Sequence, residues 1–85
     1  MSWRDEYFFY KGYNCRIEHE YQDDCVKAWH YVVNSHNGKE IIADITPYDS
    51  STETLRLWID AGMPNRSGSG PIRREDLEKM IYERA

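Results

Sequence analysis

An 85-residue chain with 40% hydrophobic, 31% charged and 14% aromatic residues, at a formal charge of −4, has material for one small core. That excludes a large enzyme with its own substrate domain, and the acidic balance argues against a generic phosphate-binding surface, which needs clustered positive charge. No apolar run reaches the roughly 18–20 residues of a transmembrane helix, and the opening MSWRDEYFFY lacks the basic-then-apolar order of a secretory leader. The expectation is a single cytoplasmic domain, residues 1–85, with no membrane contact.

Residues 6–45 read as a β-meander. Glu6–Tyr10 is aromatic-rich, Lys11-Gly12 breaks it, and Tyr13–Glu20 alternates, with Tyr13, Cys15, Ile17 and His19 on one face and Asn14, Arg16, Glu18 and Glu20 on the other. Tyr21–Asp24 supplies turn residues, and Cys25–Asn34 is rich in strand formers. Asn37-Gly38 between two apolar runs predicts a type I′ hairpin into Glu40–Ile45, which Pro47 ends.

Parity then sorts the side chains, because a sheet with one buried face must keep one set inward. The two glycine turns pair Phe8 with Cys15 and Val32 with Ala43. An odd register sum near 45 in the middle hairpin sets Ile17 against Ala28 and His19 against Val26. The expected core face carries Phe8, Tyr10, Tyr13, Cys15, Ile17, Val26, Ala28, Val32, Ile41, Ala43 and Ile45. The other face carries Tyr7, Phe9, Arg16, Lys27, Trp29, Tyr31, Val33 and Ile42, flanked by Asn14, Glu18 and Asp44.

The remainder reads as two helices. Ser50 with Glu53 makes a capping box ahead of a helix over 52–61, in which Leu55, Trp58 and Ile59 form an apolar stripe. Gly62 suits a left-handed cap, Pro64 blocks continuation, and the SGSG-containing stretch 63–70 reads as a flexible loop. A second helix over 74–84 buries Leu77, Met80 and Ile81, with Ile72 and Leu77 as a staple around an Arg73 cap and Asp76 at the third helical site. The predicted class is α+β: a four-stranded antiparallel meander followed by two helices packed on one sheet face, ββββαα. The charge divides with the architecture. Residues 1–49 hold five Lys/Arg against nine Asp/Glu, whereas 50–85 hold six of each.

Candidate chemistry is sparse. Cys15, His19, Cys25 and His30 lack the short paired spacing of a structural zinc site, and parity puts the two cysteines on opposite faces, against a disulfide. His30 opposite Cys15 would formally make a Cys–His pair, but a His packed among aromatics is the plainer reading. His19, Glu20, Asp23 and Asp24 form an acidic cluster that a small hydrolase or metal protein would use, yet it falls at a hairpin tip and lacks the spacing of a calcium loop. No nucleophile elbow or Walker sequence is present, so the expectation is no catalytic residue, metal or cofactor. Arg66, Arg73 and Arg74 around the glycine-rich loop are candidates for an anion site.

The strongest candidate is the second sheet face, where Tyr7, Phe9, Arg16, Lys27, Trp29 and Tyr31 exceed what one buried face requires. Tyr, Trp and Arg are the residue types of interface hot spots. The expected function is a non-enzymatic interaction or regulatory module that binds a protein partner or itself. Stacking of single-stranded nucleic acid on Phe9, Trp29 and Tyr31, with Arg16 and Lys27 on the backbone, is the alternative. Helices on opposite faces would instead turn these aromatics into ordinary core.

The tract Ala43–Pro71, with its order TPYDS…T…LWIDAGMP, resembles one found in small uncharacterised proteins of cyanobacteria and their phages. The resemblance covers about a third of the chain and implies no activity or site residue. It would make 58–64 a family signature.

Overall fold

Burial alternates residue by residue along Tyr13–Glu20, and this period-two pattern organises the molecule. The computed structural model describes the backbone of residues 2–22, 25–64 and 70–84 and the side chains of 5–20, 27–64 and 70–83. Four antiparallel strands, β1 (Ser2–Tyr10), β2 (Tyr13–Gln22), β3 (Cys25–Asn34) and β4 (Glu40–Ala43), form a sheet in the order β1-β2-β3-β4. A 3₁₀ turn, Pro47–Asp49, leads into helix α1 (Thr52–Asp60), and α2 (Arg74–Arg84) closes the chain. The α+β meander with two trailing helices is the architecture expected from the sequence. The expected mobile stretch 63–70 lies largely outside the described residues, which stop at 64 and resume at 70.

The registers depart from expectation by two residues in two of three hairpins. Phe8 faces Cys15 as predicted, across a two-residue turn in which Lys11 (φ 47°) and Gly12 (φ 85°) both take the left-handed conformation a type I′ turn demands. In the middle hairpin Ile17 pairs with His30 and His19 with Ala28, because β2 runs on to Gln22 rather than ending at Glu20. In the third, Val32 pairs with Ile41, and Ala43 with His30. There five residues, 35–39, separate the two strands. The Asn34 side chain accepts from the His36 and Asn37 amides, the Gly38 amide donates to the Asn34 carbonyl, and Gly38 takes φ 71°. A shift of two preserves parity, so the assignments to a face survive among the described residues.

The core joins Cys15, Ile17, Val32 and Ala43 of the sheet to Leu55, Trp58 and Ile59 of α1 and to Ile72 and Leu77 around the start of α2. Phe8, Tyr10, Tyr13 and Ile41 pack at its margin. Leu55, Ile72 and Leu77 are fully buried, each contributing about 1.5–3 kcal/mol by leaving water. The predicted strand Glu40–Ile45 stops at Ala43. Ile45 instead makes a parallel bridge to Ile72, fixed by bonds from the Ile72 amide to the Asp44 carbonyl (2.8 Å) and from the Thr46 amide to the Ile72 carbonyl (2.9 Å).

The α1 N-cap is Ser51 rather than Ser50. Its hydroxyl accepts from the Thr54 amide at 3.0 Å, so Glu53 has no part in the cap. At the other end the Met63 amide reaches the Trp58 carbonyl and the Gly62 amide the Ile59 carbonyl, a Schellman motif with Gly62 at φ 90°. The Trp58 indole N–H then donates to the Pro64 carbonyl at 2.9 Å, tying the outgoing chain to the helix. Ser51→Ala and Gly62→Ala are each expected to lower the unfolding free energy by about 1 kcal/mol, read from urea denaturation midpoints.

Candidate interaction face and a buried histidine–serine cluster

Both helices contribute to the core on the inner face, and neither covers the outer face. Tyr7 is 69% exposed, Phe9 63% and Ile42 60%, with Trp29, Tyr31 and Val33 half-buried beside them. The six predicted contact residues, Tyr7, Phe9, Arg16, Lys27, Trp29 and Tyr31, therefore share one surface. Register aligns them across the sheet, with Tyr7 opposite Arg16 and Arg16 opposite Tyr31.

Arg16 of this face is already engaged. The Arg16 guanidinium stacks 4.3 Å from the centre of the Tyr31 ring, and its Nε lies 3.2 Å from Glu18 Oε1, an ion pair without hydrogen-bond alignment. Lys27 stands opposite Glu20 in the register. Asp5, Glu18, Glu20 and Glu40 outnumber Arg16 and Lys27 on this face, four to two, for a balance of −2.

The arginines near α2 are differently placed. Asp49 Oδ2 accepts from the Arg74 amide at 3.0 Å and Asp76 Oδ2 from the Arg73 amide at 3.2 Å, so the chain's own carboxylates occupy the helix N-terminus. The Arg74 side chain reaches Glu78 (2.9 Å) and Glu53 (3.3 Å), which hold its pKa above the ordinary value, Glu78 more strongly. Arg73 pairs with Glu75 at 3.4 Å. An open hollow of about 400 Å³ here is lined by Asp49, Arg73, Arg74, Glu75 and Glu78, three carboxylates to two cations. Arg66 lies outside the described residues.

Of the acidic hairpin, the described residues are His19 and Glu20. His19 points inward, whereas Glu20 belongs to the outward set, and Asp23 and Asp24 lie outside the described residues. Among the described residues no three His, Cys, Asp or Glu side chains group to hold a metal ion. The Cys–His pairing also dissolves: Val32, not His30, stands opposite Cys15. The Cys15 thiol is buried, and desolvation pushes it up to about 11, which removes the thiolate a nucleophile needs.

One arrangement escaped the sequence. His19 and His30, diagonal neighbours on the inner face, both aim Nε2 at the Ser50 hydroxyl, each at 2.9 Å. His30 is 1% exposed and His19 7%. A serine between two imidazoles has the contact distance of a nucleophile and its base, but no acceptor orients His30, whose Nδ1 is buried without a partner. Inward alternation placed both histidines. That Ser50 would bridge them depends on the path of the 3₁₀ turn, for which the sequence carries no signal.

Comparison of the chain with protein families, with curated proteins and with solved structures found no match. No described helix is long and apolar enough to cross a membrane.

With Cys25 replaced by serine, the remaining thiol, Cys15, is expected to react with an aromatic disulfide reagent at about pH 8 only as fast as the chain unfolds. Labelling at the rate of a free cysteine in the folded protein would contradict its burial.

Proposed function

We propose that this chain is a non-enzymatic interaction module that works through its outer sheet face, and that the occupant of that face is a second copy of the chain. The exposure of Tyr7, Phe9 and Ile42 on a face that neither helix covers carries the reading. Protein is favoured over nucleic acid because Arg16 and Lys27 stand against Glu18 and Glu20, and the balance of −2 repels phosphate.

Two features favour a second copy. Charges of both signs interleave among the aromatics, so a two-fold axis can set cations of one copy against carboxylates of the other within that balance. The area also fits. Strands of 9, 10, 10 and 4 residues, at about 3.3 Å rise and about 4.8 Å spacing, give a plane of roughly 500 Å². With side-chain corrugation this approaches the roughly 800 Å² per partner of a standard interface. Face-to-face packing would form a two-sheet sandwich across the axis.

Sedimentation equilibrium between about 1 µM and about 500 µM should show a monomer–dimer equilibrium, and Phe9→Asp should abolish it while leaving the far-ultraviolet dichroism unchanged. A strictly monomeric wild type across that range overturns the second copy as occupant. Quenching of Trp emission by single-stranded oligonucleotides at about 50 mM salt would transfer the face to nucleic acid.

A further inference from the structure

The Ser50 hydroxyl meets two imidazole nitrogens, and it can accept from a ring N–H as well as donate its own hydrogen to a bare ring nitrogen. His30 Nδ1 has no partner, and a buried N–H without an acceptor costs more than a bare ring nitrogen. The proton of His30 therefore belongs on Nε2, and His30 donates to Ser50.

Ser50 sits where the helical half of the molecule begins. Asp49 before it caps α2 through the Arg74 amide, and Ser51 after it caps α1 through the Thr54 amide. Both caps thus flank the residue that the two histidines hold against the sheet. We propose that the His19–Ser50–His30 cluster is a pH-sensitive latch, which on acidification releases the junction between the 3₁₀ turn and α1 from the sheet and loosens the helical layer while the sheet persists.

The chemistry supports one direction only. A second proton on His30 would create both a buried charge and a buried Nδ1–H with no acceptor. A charge on His19 would stand beside His30, the two Nε2 atoms lying no more than twice 2.9 Å apart. Around His30 stand Ala28 and Val32 on its own strand, Ile17 on β2 and Ala43 on β4, none of which titrates. Toward the helical side, buried Thr46 and Thr54 do not titrate, and the Asp49 carboxylate is turned to the α2 amide. His19 is the ionisable neighbour that acts on His30, and on β1 Arg4 stands opposite His19 in the register with Glu6 diagonal to it.

Burial, and then the charge of His19, lower the His30 pKa from 6.5 to about 4. Because the ring binds a proton more readily once released, closure is fully favoured above the ordinary histidine value and is lost as pH falls from about 6.5 toward 4. Within that window each pH unit raises the open-to-closed ratio about tenfold.

A Trp3→Phe, Trp29→Phe variant leaves Trp58, which is 2% exposed on the inner side of α1, as the single reporter. Acrylamide quenching of Trp58 should rise as pH falls from about 7.5 to about 4.5, with the strand dichroism retained. In this background Ser50→Ala should make Trp58 accessible already at neutral pH and flatten the acid step, and His30→Leu should flatten the step without the bridging bond. An unchanged Trp58 across the range overturns the proposal. So does an acid step that survives in both Ser50→Ala and His30→Leu, since carboxylates would then be its source.

Discussion

The sheet has two faces, and the chain has one pair of helices with which to cover them. Everything else follows from how that shortage is met. Leu55, Trp58 and Ile59 of α1, with Ile72 and Leu77, concentrate on the side that carries Cys15, Ile17, Val32 and Ala43, and the core is complete there. Tyr7, Phe9 and Ile42 receive no such cover. In a chain this small the division matters, because each large aromatic left in water forgoes burial that would otherwise support folding. The outer aromatics are thus a cost to the monomer, and the cation of Arg16 over the Tyr31 ring offsets little of it.

The helical layer is held to the sheet by polar contacts at its rim as well as by the core. At one end, Tyr10 Oη and Lys11 Nζ both bond the Asp60 carboxylate at the last turn of α1. That contact places a cation near the negative end of the helix, which Asp60 alone would oppose, and Lys11 holds the Asp60 carboxyl below its ordinary pKa. At the other end stand Ser50 and its two histidines. The two fastenings differ in kind. The first is solvated, whereas in the second the His30 ring is buried with no acceptor for another proton.

Which parts were legible in the sequence follows from which quantities have a short period. Facing depends on parity alone, so Tyr7, Phe9, Trp29 and Tyr31 could be assigned outward even though two registers were misjudged by two residues. Register depends on loop length, and the Asn34 side chain lengthened the third loop by capturing two amides, a choice that Asn37-Gly38 gives no hint of. Adjacent serines made the α1 cap ambiguous, and the histidines resolve it by claiming Ser50. The α2 terminus is satisfied by Asp49, twenty-five residues upstream, and a pairing at that distance leaves no periodic trace. Physical reasons also attach to the 58–64 stretch: the Schellman turn and the bond from Trp58 to the carbonyl of residue 64 account for its glycine and its tryptophan.

The parallel bridge between Ile45 and Ile72 has a consequence for the order of folding. The meander needs only contacts between successive hairpins, which form locally and early. The bridge instead closes a loop that contains the 3₁₀ turn and the whole of α1, and its closure entropy must be met before Leu77 finds its place. The sheet can therefore assemble as a template with both faces wet. The inner face dries only when the two ends of that excursion meet, so the chain acquires its asymmetry in a single late step.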